Sequence, residues 1–245
     1  MTATTGVPEV SLTGAKTPVD QTPGPRLVLA RHGRTAWNAE GRFQGHADPP
    51  LDSTGRQQAR RLAARVAPFG PSLVISSDLQ RARSTAEDVA EATGLEVELD
   101  PDLREVFLGG WEGLDRAGAS ANFPVEYRAW STGQPVRRGG GETEDEAGRR
   151  AASAILRAMG GQPGLLVVVS HGLVLKSAMN FLARDGWLRI DGHAAHLGNG
   201  DFAAFSGNGD PWISPKPPRG PGTIKLPRIA GRHPPSPEPR STNAT

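Results

Sequence analysis

The chain has 245 residues, 36% of them hydrophobic, and its 28 Lys and Arg against 26 Asp and Glu give a net charge of +2. That is one globular domain with appendages, and the charge is uneven: residues 206–245 carry six bases against two acids and residues 1–25 one against two, leaving 21 bases and 22 acids in 26–205. A near-neutral body excludes the basic face that nucleic-acid binding needs, and the absence of cysteine excludes a disulfide framework, Cys-ligated zinc, an iron–sulfur cluster and a cysteine nucleophile.

In chain order, residues 1–25 have neither a basic start nor an apolar stretch, so no signal peptide is read there and a cytoplasmic location is expected. A short apolar run over 26–30 predicts a first strand, and the stripe Ala59, Leu62, Ala63, Val66 predicts a helix over 54–67. A second strand is predicted at 73–76, followed by a helix over 81–93 that Gly94 ends. The Gly-rich stretch 108–142 has no assignable period, and irregular inserts of that kind often carry selectivity. A helix over 143–159 ends at Gly160-Gly161, a fully apolar strand follows at 165–170, and another helix at 173–183. The apolar run 165–169 is the longest in the chain and too short to cross a bilayer, so no membrane partner is expected. Residues 198–203 mimic a dinucleotide fingerprint but have no preceding strand and no crossover helix, and are read as entry to a last strand. Ten of the 22 prolines fall in 206–245. Residues 1–25 and 208–245 are therefore expected to be disordered tails, the second basic and Pro/Gly-rich. The folded unit over 26–207 is predicted to be a single α/β domain, with a mostly parallel central sheet flanked by helices.

Two segments share one local grammar. Leu27-Val28-Leu29-Ala30-Arg31-His32-Gly33 and Val167-Val168-Val169-Ser170-His171-Gly172 each run from a buried strand into His-Gly. In an open parallel sheet the carboxyl edge binds ligands, and neighbouring strands would bring both imidazoles to one crevice. The strand at 73–76 leads through Asp78 to Arg81 and Arg83 at the start of a helix on the same edge, where only one of the two can point inward. Arg31, one of these arginines and a helix N-terminus around two histidines describe an anion pocket. Asp191, His193 and His196 can be drawn as a metal triad, but the nearby Gly and Ala read as a loop, and no metal is expected. Neither a Gly-x-Ser-x-Gly elbow nor a Gly-Lys-Ser/Thr loop occurs.

Arg31-His32-Gly33-Arg34-Thr35-Ala36-Trp37-Asn38 resembles the signature of the histidine phosphatase superfamily, the phosphoglycerate-mutase-like enzymes. The likeness continues through Phe43-Gln44-Gly45, Leu51-Asp52-Ser53-Thr54-Gly55, Ser77-Asp78-Leu79-Gln80-Arg81-Ala82, Thr85-Ala86, Leu103-Arg104-Glu105, Gly110-Trp111-Glu112-Gly113, Gly141-Glu142-Thr143 and Ser170-His171-Gly172. The resemblance implies that His32 is the nucleophile forming a phosphohistidine, that Arg31, Arg81 and His171 bind the equatorial phosphoryl oxygens, and that Glu105 protonates the leaving alkoxide and then activates water. It places Asn38, Gln44 and Gly45 near the phosphate or substrate, with Thr35 as a cap. Arg34 stands where relatives often have an acid and is expected to make the pocket rim more basic. No cofactor is implied, since arginines supply the charge.

The mutases of this family carry a larger insert than the 66 positions from Glu105 to His171, which favours a phosphomonoesterase acting on a small phosphorylated metabolite. A phosphoglycerate-type mutase and a non-catalytic phosphate-binding scaffold remain as alternatives. Arg137 and Arg138 are read either as a site for a substrate carboxylate or second phosphate or as a solvated pair. The oligomeric state stays open, with a homodimer among the options.

Overall fold

The apolar runs become the centre of a five-stranded sheet. The computed structural model describes residues 26–160, 164–190, 194, 196–207 and 209–211. Strands β1 (Leu27–Arg31), β2 (Pro71–Ser76), β3 (Val97–Leu99), β4 (Leu165–Ser170) and β5 (Phe202–Phe205) lie in the order β3-β2-β4-β1-β5. β4 pairs in parallel with β1 and β2, β3 pairs in parallel with β2, and β5 runs antiparallel to β1. β1 and β4 are apolar on both faces because helices cover both. Leu27, Leu29, Leu166 and Val168 face one hydrophobic cluster, and Val28, Ala30, Val167 and Val169 the other.

Around the sheet stand α1 (Ala36–Ala39), α2 (Ser53–Val66), α3 (Gln80–Thr93), α4 (Arg116–Asn122), α5 (Pro124–Ser131), α6 (Glu144–Gly160) and α7 (Gly172–Arg184). Leu62 and Val66 of α2 and Ala86 and Val89 of α3 fill the second cluster; Ile155 of α6 and Val174, Leu175 and Leu182 of α7 fill the first. Asp52 caps α2 by accepting from the Gly55 N–H at 2.7 Å, and Gly94 ends α3 in the left-handed region at φ 71°. The β1 exit and the start of α2 touch through backbone: a Cβ on Gly33 would lie 2.3 Å from the Gly55 carbonyl oxygen, and one on Gly55 2.0 Å from that of Arg34. Only glycine fits at either position.

The α/β class, the mostly parallel sheet and the four long helices agree with the sequence reading. Stretch 108–142 holds α4, α5 and single 3-10 turns at 109–111 and 138–140. Residues 209–211 fold back onto the end of β5, where the Ser206 N–H donates to Asp210 O at 2.8 Å. Of the tails expected at 1–25 and 208–245, residues 1–25, 208 and 212–245 lie outside the described residues, as do Asp191 and His193 of the drawn metal triad. Among the described residues no helix is long and apolar enough to cross a membrane, and no group of three or more His, Cys, Asp or Glu is disposed to hold a metal ion.

Candidate active site

Register brings the two His-Gly segments together. Arg31 of β1 pairs with Ser170 of β4, so the next residue on each adjacent strand is a histidine at the carboxyl edge. The His32 and His171 ring centroids are 5.0 Å apart at 63°, with His32 2% exposed and His171 fully buried. His32 Nδ1 lies 2.6 Å from the Gly33 carbonyl oxygen. A carbonyl only accepts, so Nδ1 carries the proton and Nε2 of the neutral ring keeps its lone pair. Burial, then the charges of Arg81 and Arg31, hold the His32 pKa well below the usual histidine value, against the opposing Gly33 bond. His171 is lowered in the same direction by burial, Arg81, His32 and Arg31. Its Nδ1 accepts from Arg81 Nε at 3.2 Å, which leaves the Nε2 proton to donate to Ser77 Oγ at 2.9 Å.

The first turn of α3 turns Arg81 inward and Arg83 outward. Arg81 is fully buried and donates to Ala47 O at 2.7 Å and Gly45 O at 2.8 Å. Burial pushes its pKa down to about 10, so it stays charged at neutral pH. Arg83 has a side chain 55% exposed and pairs with Glu87 one turn along the helix. Arg31 Nη1 donates to Leu197 O at 2.8 Å and lies 2.9 Å from His196 Nε2. Its buried Nε has no partner among the described residues. Burial lowers the Arg31 pKa while Glu105 and Asp201 oppose the shift. Arg81, whose ion-pair partner Asp48 lies at 3.8 Å, and half-buried Arg31 stand beside neutral imidazoles, an arrangement that favours an anion in the space between them.

Glu105 reaches the start of α7. Its Oε1 accepts from the Val174 and Val106 N–H groups at 2.9 and 3.0 Å, and its Oε2 from Leu173 N–H at 3.2 Å. The helix leaves the Leu173 and Val174 donors open because its N-cap, His171, makes no side-chain cap bond. The Glu105 backbone is fixed as well, its carbonyl accepting from His46 Nε2 and Arg150 Nη2, each at 2.8 Å. Arg150 also donates to Asp102 O and Arg104 O at 2.7 Å and forms a fork with Glu142 at 2.9 and 2.8 Å.

Asn38, Gln44 and Gly45 build the pocket wall through internal contacts. Asn38 Oδ1 accepts from Thr35 N at 3.1 Å and Asn199 Nδ2 at 3.2 Å, completing a capping box with Thr35 at the start of α1. Gln44 Oε1 accepts from Thr35 Oγ1 at 2.9 Å. Gly45, at φ 55°, supplies the carbonyl that holds Arg81, and a Cβ there would lie 2.2 Å from Glu112 Oε1. The expectation for Arg34 is corrected: it bonds Asp52 at 2.7 Å and Thr54 at 3.0 Å, tying the loop to α2 rather than adding an unpaired cation to the rim. Of the adjacent arginines, Arg137 is exposed and paired with Glu146, whereas Arg138 is 1% exposed and bonds Glu144 at 3.2 Å.

Several partners escape sequence reasoning. Thr85 Oγ1 accepts from the Gly33 N–H at 3.1 Å and donates to Arg81 O at 2.8 Å, linking the two elements that carry His32 and Arg81. Glu112 takes the His46 and Ala47 N–H groups at 2.7 and 3.1 Å and so shapes the loop that grips Arg81. Both residues stand inside matched motifs, a signal of importance without one of role. Asn199 donates to His32 O at 3.2 Å from within the stretch that mimics a dinucleotide fingerprint.

A neutral buried imidazole flanked by buried Arg81 and half-buried Arg31, at the carboxyl edge of a parallel sheet, is an arrangement suited to an anionic ligand. The chain matches the histidine phosphatase superfamily (branch 1) over residues 27–208 and belongs to that family. It is 44% identical to phosphoglycerate mutase-like protein 4 of Arabidopsis thaliana over 156 residues, 62% of this chain and 68% of that protein. Its fold is similar to mycobacterial glucosyl-3-phosphoglycerate phosphatase complexed with VO3, with TM-score 0.65 and 32% identity over 74% of this chain and 91% of that one. It is also similar to phosphoserine phosphatase of Entamoeba histolytica in complex with 3-phosphoglyceric acid, with TM-score 0.64 and 27% identity over 77% of this chain and 94% of that one.

Proposed function

We propose that the protein is a phosphomonoesterase that hydrolyses a small phosphorylated metabolite through a phosphohistidine on His32. The observation that carries this reading is the His32 ring itself: neutral, its Nδ1 proton committed to Gly33 O, and its other nitrogen free to attack phosphorus. In the first step the His32 Nε2–P bond forms as the ester P–O bond breaks, and Glu105 gives its proton to the departing oxygen. Arg31 and Arg81 supply fixed positive charge and N–H donors for the equatorial oxygens as charge develops on them, and the neutral His171 offers the Nε2–H that otherwise donates to Ser77 Oγ. In the second step Glu105 takes a proton from water, whose oxygen attacks phosphorus and returns His32 to its neutral form with release of inorganic phosphate.

The substrate class follows the relatives, since glucosyl-3-phosphoglycerate and 3-phosphoglyceric acid are both phosphate-bearing carboxylic acids of metabolite size. The near-neutral body supports a small-molecule partner rather than nucleic acid. The test is inorganic phosphate release from a panel of phosphorylated carboxylic acids and sugar phosphates, with His32→Ala alongside. Release by the wild type alone supports the reading; equal release by both proteins, or none from any compound by either, counts against it.

A further inference from the structure

His196 has no part in the scheme above, yet it touches Arg31. It stands on the segment leading into β5, and its Nε2 lies 2.9 Å from Arg31 Nη1, which also donates to Leu197 O at 2.8 Å. A guanidinium N–H only donates, so His196 Nε2 accepts and the neutral ring carries its proton on Nδ1. The ring fits because residue 172 is glycine: a Cβ there would lie 2.6 Å from His196 Cε1 and 3.1 Å from both Arg31 Cζ and Arg31 Nε. Gly172 thus opens a slot at the start of α7 that imidazole and guanidinium share.

We propose that His196 is a positioning residue for Arg31. As a neutral acceptor it fixes Nη1 and leaves Nε, which has no partner among the described residues, as a donor for the substrate phosphate. Protonation of His196 removes the acceptor and sets a second cation against the guanidinium, so the hold on phosphate weakens as the ring charges. The groups facing it among the described residues are Arg31 from β1, Lys176 from α7 and Glu105 from the loop before α4. His196 is exposed as a residue, and partial burial of its ring, then Arg31, push its pKa below the usual histidine value, with Lys176 acting the same way and Glu105 opposing. The neutral, orienting form therefore prevails at neutral pH and is lost in the acid range.

The inference rests on the phosphatase reading, and the experiment separates the two. His196→Ala and His196→Gln are compared with wild type for inorganic phosphate affinity by calorimetry and for kcat/KM from pH 5 to 8, with thermal melts to establish folding. Glutamine keeps an acceptor oxygen and does not titrate. His196→Ala is expected to weaken phosphate binding and kcat/KM about tenfold at pH 7.5, the scale of one lost orienting hydrogen bond, and His196→Gln to restore most of both. The ratio of His196→Gln to wild-type kcat/KM should rise toward the acid end of the range, below the ordinary histidine value, because substrate and His32 titrations cancel in it. Unchanged phosphate affinity in His196→Ala, or a glutamine variant no better than alanine with a pH-independent ratio, overturns the proposal. Absence of turnover in the wild type would overturn the phosphatase reading alone, since the affinity arm still reads the hold on Arg31.

Discussion

Replacing Arg81 with alanine removes a side chain that does two separable things. Its N–H groups satisfy Gly45 O, Ala47 O and His171 Nδ1. Leaving buried acceptors without donors costs about 1–3 kcal/mol each, so a loss of at least about 3 kcal/mol of stability is expected, or a Tm lower by roughly 10 °C for a domain of this size. In the proposed scheme its charge also faces the phosphoryl group, and loss of one preorganised donor in such a site costs on the order of 10²–10³ in kcat. Arg81→Lys keeps the charge but not the fork, and should recover part of kcat while leaving most of the Tm deficit. The assay is kcat measured well below the variant's Tm and corrected for folded fraction. Arg83→Ala, whose side chain is 55% exposed and paired with Glu87, serves as the control and should stay within about twofold. A folded Arg81→Ala with kcat near wild type, or equal losses for Arg81 and Arg83, would refute the assignment.

Other outcomes follow from the same geometry. His32 and His171 have folded-state pKa values depressed below the unfolded value near 6.5, so the unfolded chain takes up their protons first and stability is lost as pH falls below about 6.5. The slope should approach about 1.4 kcal/mol per pH unit per histidine, read as Tm between pH 7.5 and 5, and a flat profile would contradict it. Gly55→Ala drives a Cβ to 2.0 Å from the Arg34 carbonyl oxygen, and should cost about 3 kcal/mol of stability together with activity, as checked by denaturant melts and turnover. Arg150→Ala removes one of two donors to the Glu105 carbonyl and the fork on the Glu142 carboxylate; kcat should fall more than KM rises, in steady-state kinetics. EDTA should leave turnover unchanged, because positive charge at the site comes from Arg31 and Arg81.

Much of the fold and the centre of the site are legible in the sequence, for a physical reason. A strand buried on both faces must be continuously apolar, so β1 and β4 announce themselves, and the His-Gly that ends each marks the edge where ligands bind. Arg81 is separable from Arg83 only by helix geometry, two positions apart on a helix lying on opposite sides. β3 escaped because it has three residues on the edge of the sheet. α4 and α5 escaped because their lengths of seven and eight residues are too short to show a period through Gly and Pro. The bonds of Thr85, Glu112, Arg150, Asn199 and His196 join residues 45 to 167 positions apart, counting only their links to the Gly33, His46, Glu105, His32 and Arg31 elements. No local pattern carries that information. Burial of Arg138 beside an exposed Arg137 likewise depends on packing between the turns at 109–111 and 138–140.

The central claim is that His32 carries the phosphoryl group, and intact-protein mass spectrometry tests it directly. Wild type and His32→Ala are quenched rapidly at neutral pH during turnover of a phosphomonoester in the presence of EDTA, and inorganic phosphate is measured in parallel. The account predicts a transient adduct of one phosphoryl group on the wild type alone, with phosphate release that His32→Ala lacks. Sustained phosphate release by His32→Ala, or an adduct that survives the loss of His32, would contradict it.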